Sequence, residues 1–288
     1  MRDVVAGCIT NYNFEQIKHW VNSLDRSGFS GLKVMVCYNI PFSVAEELAK
    51  RKYTILAFGK NEDNETLHYS NQPFNICLER FFHMWYFFSK MREKEEFRYL
   101  ISTDVKDVIF QKNPSEWLEK NMGDKLINVA SESIRYRDEE WGNNNLKESF
   151  GEVIHSHFNQ NEIFNAGTVS GHFDTLIDLF LTIYLSCGAS PKFVQGGGGP
   201  DQAALNILLQ TAAYKNITRF TKSEEGWAAQ LGTTKDPNKI QKYKHFLLEA
   251  EPILINDLIC TSEGEPFYIV HQYDRIPQWK KMIEKKYE

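Results

Sequence analysis

Residues 97–114 read FRYLISTDVKDVIFQKNP. Apolar Tyr99, Leu100 and Ile101 stop at Ser102, Thr103 and Asp104; a second acid, Asp107, follows, and Val108, Ile109 and Phe110 resume the apolar pattern. Buried strands are built from Val, Ile, Leu and aromatic residues, so two carboxylates between apolar flanks belong at a strand's end. In an open α/β sheet that end is where ligands bind. Paired carboxylates raise each other's pKa unless a cation sits between them. A hard divalent ion, Mg²⁺ or Mn²⁺, itself bound to phosphate oxygens, answers that requirement. Asp104 and Asp107 are therefore read as holding a metal that carries a diphosphate. The plainer alternative is that an Asp at a strand end only caps a turn through its own side chain.

Outward from this stretch, strands and helices alternate. Apolar runs at 4–9, 33–38 and 53–58 read as strands. Phe14, Ile17, Val21 and Leu24 mark a first helix, and Pro41, Val44 and Leu48 a second. This alternation predicts a mostly parallel sheet flanked by helices, an α/β fold. A polar loop at 61–72 leads to an aromatic helix over about 74–91, with Phe81, Met84, Trp85 and Phe88 on its buried face. Arg80, its odd polar member, is either ion-paired or reaches a donor phosphate, since an Arg fork suits phosphate oxygens. A further strand is read at 125–130. Residues 131–160 are charged and Asn-rich with no clear period, and read as an irregular lid or binding loop; His155 and His157 within it read as surface residues.

Three later stretches complete the set. In IFNAGTVS (163–170), Asn165, Ala166 and Gly167 interrupt apolar sequence with small residues, which admits a ligand close to the backbone or marks a bulge. In QGGGGPDQ (195–202), four glycines precede a helix opened by Asp201 and Gln202; no GK[ST] follows, so the run is not a P-loop. In FYIVHQYDR (267–275), His271 follows a strand-like run, and a carboxylate-plus-imidazole set suits Mn²⁺.

Composition bounds the rest. The 288 residues are 42% apolar and 14% aromatic, enough for a sizeable core, with a net charge of −5 from interspersed acids and bases. That balance argues against a nucleic-acid partner. Five scattered cysteines without a CxxC indicate neither a disulfide framework nor a zinc site. No apolar run approaches the ~20 residues of a transmembrane segment, and no signal-peptide pattern opens the chain, so a cytoplasmic location is expected. Asn64-Glu65-Thr66 and Asn216-Ile217-Thr218 fit the glycosylation pattern but carry little weight without a secretory signal.

Together these stretches resemble glycosyltransferases of the GT-A fold: a first strand ending in a polar turn, a mid-chain acidic motif, then NAG, then DQ, then a late His. The usual DxD is here a DxxD, Asp104-Val105-Lys106-Asp107. The frame TDVKDVIFQKNP is close to the DVRDVxFQxDP form of several bacterial and viral glycosyltransferase-like sequences, and the ending VHQYDR is similar to theirs. The resemblance implies a single GT-A (Rossmann-like) domain over 1–288, with a nucleotide-binding half at 1–130 and a sugar- and acceptor-binding half at 131–288. It implies a metal held by Asp107 and His271, with Asp104 on the metal directly or through water, or on the donor. Thr10, Asn11 and Tyr12 would take the base and ribose, and Asn165, Ala166 and Gly167 the donor sugar. Asp201 and Gln202 would face the reacting carbon, Asp201 as base if the reaction inverts. The implied partners are a nucleotide-sugar donor, a UDP-sugar being the first choice, and a glycan or other hydroxyl acceptor. The rival readings are a nucleotidyltransferase or phosphohydrolase using the same acids, and a non-catalytic sugar-binding relative.

Overall fold

The computed structural model describes residues 1–58, 66–67 and 74–288. The main sheet is built from β1 (Arg2–Thr10), β2 (Leu32–Tyr38), β3 (Thr54–Phe58) and β4 (Phe97–Thr103), later joined by β6 (Ile127–Arg135), β7 (Glu162–His172) and β8 (Thr218–Thr221). Its order is β8-β6-β7-β4-β1-β2-β3. β3, β2, β1 and β4 run parallel; β7 lies antiparallel to both β4 and β6, and β8 runs parallel to β6. The expected mostly parallel α/β sheet is therefore present.

Both faces of the sheet are covered, which is why its strands read as continuous apolar runs. Side chains alternate between the faces. Val4 and Ala6 of β1 join the cluster under α3 (Ile76–Arg92) and α6 (Phe173–Ser186). Val5 and Ile9 join the opposite cluster under α1 (Phe14–Arg26) and α2 (Phe42–Lys50). Aromatic contacts lock α6 against the sheet, with the Phe97 and Phe173 rings 4.7 Å apart. Asn13 caps α1 by accepting from the Gln16 amide, which fixes where the chain turns after β1.

A second, three-stranded sheet does the positioning. After Asp107 the chain leaves the main sheet as β5 (Val108–Phe110) and pairs antiparallel with β10 (Ile269–His271), which pairs in turn with β9 (Ala228–Gln230). The α8 helix (Pro277–Lys286) then packs back on α1. Asn22 Nδ2 donates to the Tyr287 carbonyl at 2.8 Å, and Arg26 donates to the carbonyls of Lys286 and Glu288. These contacts tie α8 to α1.

The reading of 131–160 as an irregular lid is corrected. The strand expected to end at Ala130 runs on to Arg135, and Glu140–Phe158 is a helix, α5, bent at Gly151. Only Gly142, Asn145, Leu146 and Ser149 of α5 are buried, so its exposed surface carries the charge and Asn that hid the helical period. His155 and His157 lie on this helix rather than in a loop. The polar loop at 61–72 and Asn64 lie outside the described residues, apart from Thr66–Leu67, which pair with Ile40–Pro41. Among the described residues no helix is long and apolar enough to cross a membrane.

Candidate active site

Four chain segments meet where β4 ends. The Asp104 amide donates to the Gly167 carbonyl at 2.8 Å, because β7 runs antiparallel beside β4 with Thr103 opposite Thr168. The pairing of β5 with β10 sets Val108 opposite His271, and the Gln272 amide donates to the Asp107 carbonyl at 2.8 Å. A histidine some 160 residues downstream is thereby delivered to the acidic motif. Its Nε2 lies 3.5 Å from Asp104 Oδ2 and 3.7 Å from Asp107 Oδ1. One donor atom from each of the three residues falls within 4.8 Å of the others.

Gly167 is required here by space alone. A Cβ on it would sit 2.7 Å from both Asp104 Oδ2 and His271 Cε1. Behind the cluster, His271 Nδ1 lies 2.7 Å from Gln230 Oε1, and Gln230 Nε2 donates to Thr168 Oγ1 at 2.7 Å. That chain leaves Nε2 as the nitrogen facing the two carboxylates.

Arg80 is buried on α3. It donates to Asp104, to Asp201 Oδ2 at 3.1 Å and to the Ala166 carbonyl at 3.3 Å. In this structure its fork joins two carboxylates, the ion-paired reading of the sequence. Asp201 and Gln202 open α7 (Asp201–Leu209) and are both buried. The Gln202 amide accepts from the Ala166 amide at 3.2 Å and donates to Glu132 Oε1 at 3.0 Å. Glu132 also accepts from Asn165 Nδ2 at 2.8 Å and from Thr233 Oγ1 at 3.2 Å.

The electrostatics follow from this layout. Burial works against the charged form of Asp104, but the Arg80 guanidinium and His271 outweigh it and hold its carboxyl below the usual range. Burial, reinforced by Asp104, pushes Asp107 upward against the pull of His271. For His271, burial opposes the imidazolium, yet Asp107 and Asp104 raise its pKa. Burial pushes Glu132 and Asp201 upward, for Asp201 against the pull of Arg80. Two carboxylates crowd one imidazole nitrogen, an oxygen- and nitrogen-donor set that fits a hard or borderline divalent cation.

Two cavities flank the acidic motif and share Cys77, Arg80, Asp104 and Arg275. One, of about 320 Å³, is lined by Tyr12, Lys106 and Asp107. The other, of about 410 Å³, is lined by Asn165, Ala166, Gly167, Asp201, Gln202 and His271, and by the glycine run. Of the expected base- and ribose-binding turn, Tyr12 reaches a cavity. Thr10 and Asn11 stand beside it in the chain and line neither of the two.

No family model matches the chain, and no curated protein matches it in sequence. Solved structures do match in fold. WbbM, a bifunctional glycosyltransferase, superposes with a TM-score of 0.54 at 12% identity, over 99% of this chain and 52% of its own. The glycosyltransferase GlyE of Streptococcus pneumoniae TIGR4 gives 0.53 at 13% identity, over 99% of this chain and 63% of its own. Mouse xyloside xylosyltransferase 1 gives 0.52 at 12% identity, over 94% of this chain and 96% of its own. The fold is a GT-A-like glycosyltransferase fold. The chain spans about half of WbbM and under two thirds of GlyE.

On this GT-A-like fold, several residues that line or support the cleft were missed in the sequence. Glu132 stands on β6 just past the point where the strand was expected to end, although Ser131-Glu132-Ser133 repeats the pattern of polar groups after an apolar run. Gln230 sits on a three-residue strand, too short to carry a period. Glu139 and Trp141 belong to the start of α5, whose apolar pattern is sparse.

Proposed function

We propose that this chain is a glycosyltransferase that moves a sugar from a nucleoside-diphosphate sugar to an acceptor hydroxyl, with Mn²⁺ or Mg²⁺ held by Asp104, Asp107 and His271. The observation that carries this reading is the convergence of those two carboxylates and one imidazole between two cavities. Bound there, a divalent cation supplies Lewis-acid neutralisation of the diphosphate charge. The cavity beside Tyr12 is the proposed nucleotide side, and Lys106 and Arg275 on its wall suit phosphate oxygens. The cavity beside Asn165, Ala166 and Gly167 is the proposed sugar side.

The chain's own groups have separable roles in this proposal. His271 presents Nε2 because Gln230 accepts from Nδ1. Arg80 is a fixed positive charge facing both cavities, held by Asp201 and Asp104. Asp201 could serve as a base for inverting transfer only by giving up its pair with Arg80, which favours a positioning role for it. Gln202 and Asn165 are oriented by Glu132 so that their amides line the sugar cavity in one setting.

The test is turnover. Nucleotide sugars, uridine diphosphate sugars first, are incubated with the chain, Mn²⁺ and hydroxyl acceptors, with EDTA as the control. Metal-dependent release of the nucleoside diphosphate with glycosylated product supports the proposal. Release of a nucleoside monophosphate or pyrophosphate would replace it with phosphoryl or nucleotidyl chemistry. Binding without any release would mark a non-catalytic sugar-binding chain.

A further inference from the structure

The wall of the larger cavity has features that the metal and donor do not use. Glu139 is 3% exposed and caps the start of α5, its Oε2 accepting from the Gly142 amide at 2.5 Å. Its other oxygen, Oε1, is buried and has no hydrogen-bond partner among the described residues. Its nearest cation is Lys239 Nζ at 3.7 Å, on a side chain 43% exposed at the cavity's edge. Buried carboxylate oxygens are normally satisfied, so one left open beside a cavity points to a donor that arrives with a ligand.

Two residues on, Trp141 lines the same cavity and is partly exposed. Its Nε1 donates to the Gly197 carbonyl at 3.3 Å, tying the indole to the glycine run. Gly196, Gly197 and Gly198 have φ of +87°, +92° and +84°. A Cβ on Gly196 would come within 2.9 Å of indole Cδ1, and one on Gly198 within 3.3 Å of Cζ2. The run is glycine because bare backbone must turn through the left-handed region while lying against the indole. The result is a cavity wall made of an aromatic ring, bare peptide, a buried carboxylate oxygen without a hydrogen bond, and an ammonium.

We propose that this wall, formed by Trp141, Glu139 and Lys239, is a subsite for a neutral pyranose unit of a glycan acceptor; the proposal rests on the glycosyl-transfer reading above. A pyranose presents an apolar C–H face and a rim of hydroxyls. The electron-rich indole face takes the C–H groups. Glu139 Oε1 accepts from a sugar hydroxyl, and Lys239 donates to a neighbouring one. A lipid tail would find carboxylates and peptide groups in place of an apolar lining. The placement leaves the donor's nucleotide on the Tyr12 side and its sugar beside Asn165, Ala166 and Gly167, with Arg80 and Asp104 common to both cavities.

The probes are methyl α- and β-pyranosides of glucose, galactose and xylose. They are titrated into the full chain with and without Mn²⁺ and uridine diphosphate, and followed by saturation-transfer NMR and tryptophan fluorescence. At least one pyranoside is expected to saturate, with its Kd raised at least tenfold in Trp141→Ala and in Glu139→Gln and largely restored in Trp141→Phe. Melting temperatures show that each variant is folded. Pyranoside binding that neither substitution weakens overturns the proposal, as does the absence of pyranoside binding to a chain that binds nucleotide and metal. Binding of hydroxyl-bearing peptides in place of pyranosides overturns it in favour of a protein acceptor. Trp141-dependent pyranoside binding without any nucleotide binding supports the subsite and removes the donor reading instead.

Discussion

His271 Nδ1 lies 2.7 Å from Gln230 Oε1, and this contact decides which imidazole nitrogen faces Asp104 and Asp107. Gln230 is itself oriented by its donation to Thr168, so the ring is held by a chain anchored in β7. Partners of this kind fix the ligand's tautomer, and removing one typically costs about 10–100-fold in metal affinity. Gln230→Leu is therefore expected to weaken Mn²⁺ binding by about that factor while leaving the three proposed ligands in place. Calorimetric titration with Mn²⁺ checks it; an unchanged Kd would mean that Gln230 is only packing.

Arg80 is 9% exposed between Asp201, which is 7% exposed, and the more open Asp104. Removing the cation leaves Asp201 buried without its charge partner, a change that costs roughly 3–5 kcal/mol for a buried pair. Arg80→Met is expected to lose stability on that scale in urea unfolding. Adding Asp201→Asn should recover more than half of the loss, since the second substitution removes the stranded charge. A double variant no more stable than the single one would show that the loss lies elsewhere.

Gly167 separates fold from site. Its missing side chain is the space between Asp104 and His271, so Gly167→Ala must push one of them away. The expected outcome is at least a tenfold loss of Mn²⁺ affinity with the circular dichroism spectrum retained. Unaltered metal binding would place the cation outside this cluster.

Burial pushes the His83 imidazole down to about 4, so at pH 7 it is neutral beside the Tyr38 hydroxyl at 2.8 Å. An unfolded histidine titrates near ~6.5, so between the two values the unfolded chain binds more protons than the folded one. Stability therefore falls as pH drops through this window, by on the order of 1–3 kcal/mol at pH 4.5 from this residue once solvent screening is allowed for. His83→Gln should flatten that part of the profile in urea unfolding at pH 7 and pH 4.5. An equally steep profile in the variant would assign the loss to other groups.

The parts of the site that were legible in the sequence share one signature, a polar interruption at the end of an apolar run. Asp104 after Ile101, Asn165 after Phe164 and His271 after Val270 all have it: Asp104 follows β4, Asn165 lies near the start of the antiparallel β7, and His271 ends β10 of the second sheet. Glu132 has it too, but a strand that continues past Ala130 with buried polar residues breaks the rule that polar means exit. Its polarity is tolerated because Asn165, Gln202 and Thr233 satisfy the carboxylate, and those partners come from distant segments that no local pattern reveals. Glu139 and Trp141 were hidden for a different reason. The α5 helix buries so few apolar residues that its period is lost among Asn and charge.

In the proposed function, Asp104, Asp107 and His271 form a metal site through which a nucleoside diphosphate is held. Thermal unfolding of the chain with uridine diphosphate, guanosine diphosphate or neither, each with Mn²⁺ or EDTA, tests it directly. At a hundred times its Kd a ligand adds about 2.7 kcal/mol, which a melt resolves. Stabilisation by one diphosphate that requires Mn²⁺ and disappears in Asp107→Ala is the predicted result. Stabilisation that is equal in EDTA, that survives Asp107→Ala, or that no nucleotide produces would contradict it.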